Sequence, residues 1–268
     1  MNFDFSFALV ILTFISGIIW AFDSLFLKSR RLAELEENEL LDSENTDEPI
    51  WVEYARSFFP VFLIVLILRS FLVEPFRIPS ASMMPTLLIG DFILVNKYEY
   101  GIRLPVLHNI IIKNITPERG DVVVFRYPED PSIPFIKRVI GIPGDHVEYI
   151  NKTIYINGVE KSQRQNGEYE AFGSGMMADG DHWITEFLDD ATHDILTSNN
   201  RRPAMNFETT VPEGMYFVLG DNRDNCRDSR YWGFVPDTNL VGRAFYVWMN
   251  WDSKNGGINW SRIGTILQ

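Results

Sequence analysis

The sequence predicts a mostly β domain, a folded antiparallel sheet or open barrel with a smaller inserted cap, preceded by two transmembrane helices. Two long apolar segments in the first 73 residues predict the helices. Short runs of β-forming residues separated by turn signals recur after residue 77, where no stretch has a long helical period, and they predict the sheet. The chain has 268 residues, of which 46% are hydrophobic and 22% are charged, so its composition is that of a folded protein.

Composition also excludes several classes of function. The formal net charge of −12 argues against a protein carried to nucleic acid by bulk charge. A single cysteine, Cys226, excludes an internal disulfide framework and any multi-cysteine metal site. The four histidines have no ligand-like spacing, and the sequence contains no Walker loop and no H-E-x-x-H motif. Any chemistry must therefore come from other residue types.

The first apolar segment, about 5–22, is uncharged and long enough to cross a bilayer. Lys28, Arg30 and Arg31 follow this segment, so residues 1–27 are predicted to span the membrane with the N-terminus outside. The alternative is a buried helix of a soluble core. Residues 28–56 contain nine acidic and four basic residues and are predicted to form a solvated cytoplasmic loop.

The second apolar segment is predicted to span the membrane over 57–76, although Arg69 interrupts it. A buried or re-entrant helix is the alternative. If the N-terminus lies outside, two spans place residues 77–268 outside the cytoplasm as well, where they are long enough to form one domain. Val73 and Ser82 are nine residues apart, at most ~30 Å, so Ser82 is expected near the membrane surface.

Strands are expected at seven β-forming runs in the outer domain. These runs are Phe92–Val95, Val122–Arg126, Phe135–Ile140, Val147–Ile150, Thr153–Ile156, Met215–Leu219 and Ala244–Met249. Asn151-Lys152 is expected to form a hairpin turn between two of them. Residues from about 160 to 210 are more polar and look irregular, which predicts an inserted cap.

Two serines lie in the segment Pro79–Leu87, between two prolines that stiffen the chain. Ser80 and Ser82 are therefore candidate hydroxyl groups for catalysis, although a plain loop leaving the membrane would look similar.

Lys137 and Arg138 follow one another in a predicted strand, so one of the two cations faces apolar packing. Burial disfavours a charged ammonium, and a neutral amine can act as a general base, whereas a guanidinium cannot. Lys137 is thus the candidate base, with two exposed cations at a sheet edge as the alternative.

The segment Gly220–Gly233 alternates carboxylates and guanidinium groups after a predicted strand. Ion pairs within such a segment can make it rigid. Asp221 and Asp224 have no calcium-loop pattern around them, so the segment is expected to support a neighbouring site rather than to bind a metal.

Five ordered blocks together resemble bacterial type I signal peptidase, a Ser–Lys serine protease family. The blocks are Pro79–Leu87, Gly90–Val95, Arg119–Phe125, Lys137-Arg138 with Gly144-Asp145, and Gly220–Gly233. The resemblance runs from the second apolar segment to the C-terminus and is weaker over 160–210. It implies a membrane-bound endopeptidase that removes signal peptides from exported preproteins at the periplasmic face of the inner membrane. It also implies no metal or organic cofactor, and partners limited to preproteins, lipids and export machinery.

The resemblance assigns roles by motif. Ser82 is implied as the nucleophile and Lys137 as the general base, with the Ser80 hydroxyl and the Ser82 N–H as the oxyanion hole. Asp228 and Arg230 are implied as supports of the lysine. The implied substrate-binding positions are Ile78, Pro79, Met83, Leu87, Phe135 and Ile136. Cys226 departs from the family, because this subtype commonly has a serine there that orients the lysine; a plain core cysteine is the alternative.

Two rival functions remain at this point. The first is a non-catalytic periplasmic binding or assembly factor on the same fold, which would have no reason to retain both Ser82 and Lys137. The second is a Ser–Lys protein that cleaves itself or a repressor, which would have a DNA-binding region where this chain has apolar segments.

Trp248, Trp251 and Trp260 are candidates for contact with the bilayer interface or, equally, for the core.

Overall fold

The computed structural model describes residues 5–37, 48–103, 110–112, 114–198 and 206–267. The chain divides into two compact units, and the boundary lies between Leu72 and Val73. The first unit is helical, and the second carries every residue of the candidate site. The predicted mostly β class with two apolar N-terminal helices is confirmed.

The helical unit contains α1 (Phe5–Phe22), a π-helical turn (Asp23–Leu27), α2 (Lys28–Glu37) and α3 (Ile50–Ile67), which continues as a second π-helical turn (Leu68–Leu72). Helical stretches of 25 and 23 residues, Phe7–Arg31 and Ile50–Leu72, are long and apolar enough to cross a membrane. Most of their large apolar side chains are not covered by other residues of the protein, as a lipid-facing surface requires. α1 and α3 pack against each other, with the Trp20 and Phe59 rings 5.5 Å apart.

The second helix begins and ends earlier than the predicted range 57–76. It begins at Ile50, directly after Pro49, and residues from Val73 onward form a strand. Pro75 explains the end, because proline cannot donate the helical hydrogen bond and disfavours helical geometry at Glu74. Within the predicted loop 28–56, residues Lys28–Glu37 form helix α2, and residues 38–47 lie outside the described residues.

The second unit is built on one large open sheet with the strand order β1-β2-β16-β5-β6-β14-β15. Two short strands, β17 and β18, also pair with β16. The strands of this sheet are β1 (Val73–Arg77), β2 (Asp91–Asn96), β5 (Val122–Arg126), β6 (Pro134–Gly141), β14 (Met215–Leu219), β15 (Val235–Pro236), β16 (Leu240–Asp252), β17 (Gly257–Ile258) and β18 (Thr265–Ile266). Helix α4 (Ser229–Trp232) lies between β14 and β15 in the chain.

The remaining strands form smaller sheets. They are β3 (Ile102–Arg103), β4 (Ile110–Ile112), β7 (His146–Ile150), β8 (Thr153–Ile156), β9 (Val159–Glu160), β10 (Gln163–Glu168), β11 (His182–Leu188), β12 (Ala191–Thr197) and β13 (Phe207–Thr210). β7 and β8 form the predicted hairpin, with Asn151 and Lys152 at positive φ of 50° and 70°. All seven predicted strand segments are present.

The cap differs from the irregular segment that its polar sequence suggested. β10, β11 and β12 form a separate antiparallel sheet, and a 3₁₀ helix (Gly173–Ala178) crosses between β10 and β11. In β11, Ile184 and Leu188 lie on one face and are buried, which anchors the sheet although its pairing with β10 shifts register between Gln165 and Gly167. The polar residues of β10 lie on its exposed edge, which is why the sequence looked irregular.

Candidate active site

Ser82 lies in the loop that connects β1 to β2. The base of this loop is closed by hydrogen bonds from Ile78 N to Asp91 O (2.8 Å) and from Gly90 N to Ile78 O (2.9 Å). Met83 and Leu87 are fully buried beneath the loop in the main core. The loop is therefore anchored at both ends and from below, while Ser82 itself stays half-buried at its surface.

Lys137 extends from β6 to this serine. Its Nζ lies 2.9 Å from Ser82 Oγ and 2.7 Å from the carbonyl oxygen of Ile136. Lys137 is only 4% exposed, and no carboxylate of the described residues forms an ion pair with it. The Phe135 ring is 5.5 Å from Nζ. A buried amine in contact with a hydroxyl and a carbonyl, rather than with a carboxylate, is the arrangement that a serine nucleophile and its base require.

A second hydroxyl lies beside the first. Ser80 Oγ is 3.3 Å from Ser82 Oγ, and Ser80 is exposed on the open side of the loop. Within the described part of the chain, the backbone N–H of Ser82 donates no hydrogen bond to a protein acceptor. The site thus presents one hydroxyl and one backbone N–H that are available to an incoming oxygen atom.

The predicted substrate-binding residues fall into two groups. Ile78, Met83 and Leu87 belong to one buried cluster, and the partly buried Ile136 packs against it. Phe135 instead packs in a second cluster and stacks on Tyr127 at 4.4 Å between ring centroids. Pro79 is exposed at the edge of the loop. The first group forms an apolar floor beside Ser82, and Phe135 borders the amine rather than this floor.

The segment after β14 holds the serine from the other side. Asn222 N donates to Ser82 O (3.1 Å), and Asn222 Nδ2 donates to Ala81 O (3.2 Å). Gly220 allows this approach, because a Cβ there would lie 2.5 Å from Ser82 O and 2.3 Å from Cys226 Sγ. Any side chain at position 220 would displace either the serine backbone or the thiol.

Two buried ion pairs fix this segment. Arg138 donates to both carboxylate oxygens of Asp221, at 2.9 and 2.8 Å, and each residue is 1% exposed. Burial alone would raise the pKa of Asp221, but the Arg138 guanidinium holds that pKa below its ordinary value. Arg223 forms a second bidentate pair with Glu186 of the cap, including a 2.9 Å bond from Nη1. Asp224 accepts from Lys152 and from Ser198 N, each at 2.7 Å.

The three residues predicted to support the lysine lie together next to the site. Arg230 donates twice to Asp228 at 2.8 Å, and Asp228 also accepts from Gly220 N at 3.2 Å. Burial raises the pKa of the Cys226 thiol to about 12, against the opposing effect of the nearby Lys137 charge. The thiol therefore stays protonated at neutral pH. In the described structure the hydrogen bonds of Lys137 Nζ go to Ser82 and Ile136, so any support from these three residues is indirect.

Several contributors were not identified from the sequence. Asn222 and Gly220 were included only as members of a charged segment, and Glu186 was placed in a cap without a role. Glu186 had one sequence signal: it lies at an inward position of a strand whose neighbours are apolar. Its partner Arg223 is 37 residues away, and no spacing rule relates the two.

Comparison with known proteins identifies the family of this site. The family profile described as signal peptidase, peptidase S26, matches residues 51–251. The chain belongs to this family. Signal peptidase I of Pseudomonas aeruginosa is 46% identical to it over 290 aligned positions, which cover 99% of this chain and all of the relative. Signal peptidase I of Pseudomonas fluorescens is 44% identical, also over 99% of this chain and all of the relative.

A solved structure shares the same family. The signal peptidase I of Enterococcus faecalis V583 is 36% identical in sequence, with a TM-score of 0.33, and the match covers 48% of this chain and 97% of that one. As a member of the signal peptidase family, the enzyme is a serine peptidase and a hydrolase. Membership also supports signal-peptide removal as its activity and, with the two apolar helices, a membrane-anchored protein.

Proposed function

We propose that the enzyme removes N-terminal signal peptides from exported preproteins by a Ser–Lys dyad mechanism, with Ser82 as nucleophile and Lys137 as general base. The observation that carries this proposal is the 2.9 Å contact between Lys137 Nζ and Ser82 Oγ. A hydroxyl is a weak nucleophile until a neighbouring base takes its proton. Lys137 is the described basic group that contacts the Ser82 hydroxyl.

Lys137 is buried beside the serine without an ion-pair partner among the described residues. Burial away from carboxylates disfavours a charged ammonium relative to a neutral amine. Lys137 is buried and borders the apolar ring of Phe135. Among the described residues, no carboxylate forms an ion pair with it. The Ile136 carbonyl fixes the amine without adding a formal charge. This position allows Lys137 Nζ to take the proton of Ser82 Oγ directly.

The reaction proceeds through an acyl-enzyme. As Ser82 Oγ bonds to the scissile carbonyl carbon, its proton moves to Lys137 Nζ, and the carbonyl oxygen becomes an oxyanion. The Ser80 hydroxyl and the Ser82 N–H donate to that oxyanion. When the intermediate collapses, the peptide C–N bond breaks and Lys137 returns the proton to the departing amine. Water, deprotonated by the same lysine, then hydrolyses the ester and releases Ser82.

The shape of the floor limits the side chains that precede the cut. Ile78, Met83, Leu87 and Ile136 fill the space beside Ser82 with apolar side chains, and the first three are fully buried. Because this space is already filled, an apolar surface over these residues leaves room for alanine-sized side chains and excludes larger or charged ones. We therefore propose small residues at the substrate positions that contact this floor.

Two alanine variants test the dyad. Ser82→Ala and Lys137→Ala should each abolish cleavage of a preprotein by the full-length enzyme in detergent, while the unfolding temperature changes little. Ser132→Ala and Lys97→Ala are matched controls, because Ser132 is an exposed turn residue and Lys97 pairs with Glu74 away from the site. Cleavage by either dyad variant at the rate of the controls would exclude this mechanism.

We also propose that the enzyme crosses the bacterial inner membrane twice, over residues 1–27 and the apolar segment that ends at Leu72, with the loop between them cytoplasmic and residues 77–268 periplasmic. Lys28, Arg30 and Arg31 at the end of the first span support this orientation. In a Cys226→Ser background, a membrane-impermeant maleimide should label Ser132→Cys but not Ser29→Cys in intact spheroplasts. The opposite labelling pattern would reverse the topology.

The exposed tryptophans support lipid contact by the catalytic domain. Trp248, Trp251 and Trp260 are 40%, 48% and 75% exposed, so they do not belong to the core. Indole rings are favoured at membrane interfaces. Trp260→Ala should weaken liposome binding by the enzyme lacking its two helices, and unchanged binding would argue against contact through this residue.

A further inference from the structure

We propose that the cap sheet, formed by β10, β11 and β12, positions the catalytic serine through Leu196 of β12 and Asn222 of the segment after β14. This inference rests on the proposed role of Ser82 as nucleophile. It assigns a function to the part of the chain whose sequence indicated none. The argument follows a continuous set of contacts from strand β12 of the cap, through the segment after β14, to the peptide group of Ser82.

The cap pairs directly with the segment that contacts the serine. Leu196 N donates to Asp221 O, and Arg223 N donates to Leu196 O, both at 2.9 Å. These two bonds form a parallel β-bridge between Leu196 and Asn222. Asn222 is therefore held by the cap on one side while it contacts the Ser82 loop on the other.

Asn222 controls the orientation of one peptide group. Its Nδ2 donates to Ala81 O at 3.2 Å, and that carbonyl belongs to the same planar trans peptide as the Ser82 N–H. Fixing the carbonyl on one side points the N–H toward the opposite side. Asn222 N also donates to Ser82 O at 3.1 Å. The two bonds thus fix the direction of the proposed oxyanion-hole N–H and the position of the serine backbone.

Side-chain packing joins the same elements. Leu196 and Ala178 of the cap form a buried cluster with Ala81 and Met84, the residues that flank the turn at Ser82. Gly175 lies so close to Met84 that a Cβ there would be 2.8 Å from its Cε atom. The cap therefore packs against the nucleophile loop itself and not only against the large sheet.

The Glu186–Arg223 pair secures the bridge. Both side chains are fully buried, and Arg223 follows Asn222 in the chain. Removing Glu186 alone would leave the Arg223 charge buried without its partner, which destabilises any fold. A test of positioning is cleaner at the uncharged residues Leu196 and Asn222.

Two cap leucines provide a matched pair. Leu196 and Leu188 are both 0% exposed, but Leu188 packs in a separate cluster with Ile140 and Val147. In the full-length enzyme with a signal-peptide substrate, Leu196→Ala should lower kcat about tenfold with KM within twofold. Leu188→Ala should lower the unfolding temperature by a similar amount and leave kcat within twofold. Leu196→Met, which conserves volume, should restore kcat.

Asn222→Asp tests the hydrogen bond. The substitution keeps the shape but removes the Nδ2 donor, so kcat should fall at least tenfold while the shape of the pH–rate profile of Lys137-dependent cleavage is retained. Equal kcat for Leu196→Ala and Leu188→Ala, or a normal kcat for Asn222→Asp, would overturn the positioning role. Ser82→Ala is assayed alongside: its inactivity leaves the proposed mechanism standing whatever the cap variants show, and its activity would overturn both proposals.

Discussion

Two adjacent residues of β6, Lys137 and Arg138, are both buried but have different polar partners. Lys137 contacts a hydroxyl and a carbonyl oxygen, whereas Arg138 donates to both oxygens of Asp221 and, at 2.7 Å, to Gly120 O. An ion pair stabilises the charged state of both partners and leaves neither available for proton transfer. Lys137 Nζ has no carboxylate partner among the described residues and contacts the Ser82 hydroxyl directly. The difference separates the residue that supports the site from the residue proposed to act in it.

Replacing Lys137 and Arg138 in turn with methionine should give the largest difference in activity and in stability between two variants. Lys137→Met should abolish cleavage but change the free energy of unfolding by only about 1 kcal/mol, the net worth of its hydrogen bonds. Arg138→Met should lower the free energy of unfolding by about 3–5 kcal/mol, because it leaves the Asp221 carboxylate buried and unpaired. Denaturant unfolding of the full-length enzyme in detergent measures both. Similar destabilisation by the two variants would contradict the view that Arg138 stabilises the fold while Lys137 serves catalysis.

Ser80→Ala tests the second hydroxyl of the site, which lies 3.3 Å from Ser82 Oγ, and should have the next largest effect. Loss of one oxyanion donor costs roughly 10²–10³ in kcat, and Ser80 is exposed, so stability should be unaffected. Steady-state kinetics should show the loss in kcat with little change in KM. Ser80→Thr retains a hydroxyl and serves as the matched variant; a Ser80→Ala enzyme with normal kcat would remove this hydroxyl from the oxyanion hole.

The Arg138–Asp221 ion pair should make the free energy of unfolding depend on pH. The lowered pKa of Asp221 means that its stabilising contribution is complete above the ordinary aspartate value near 4 and is lost as the pH falls through the lower folded value. In Arg138→Met, burial acts without the guanidinium, so the carboxyl takes up a proton at higher pH. The stability gap between wild type and Arg138→Met should therefore narrow by about 1.4 kcal/mol or more between pH 8 and pH 4. A constant gap would contradict this account.

Cys226→Ser should give the smallest effect. The thiol is protonated and uncharged at neutral pH, and a serine hydroxyl in its place would also be uncharged and a better donor. Activity should stay within tenfold of wild type in the same kinetic assay. A loss greater than tenfold would show that the thiol itself is required; Cys226→Ala distinguishes a need for any polar group from a need for none.

The sequence predicted the strands and the first helix well, because their signals are local. Apolar runs and β-forming runs depend on neighbouring residues, and Phe5–Phe22 and the β7–β8 hairpin lie where those runs predicted. The end of the second helix was misplaced although Pro75 already indicated it. The cap sheet was missed because its outer strand β10 is polar throughout, and an exposed edge strand lacks the alternation on which strand prediction depends.

The sequence by itself determined the fold class, the apolar helices and the residue types capable of chemistry, since these follow from composition and short-range order. Only the tertiary structure decided the partners of the two adjacent side chains, since Lys137 contacts Ser82 and Arg138 contacts Asp221 although both are buried. It also decided that Asn222 contacts the loop around Ser82 and that Leu196 and Glu186 of the cap hold the segment containing Asn222. Those contacts join residues up to 141 positions apart, and no local pattern specifies which distant partner a buried polar group will meet.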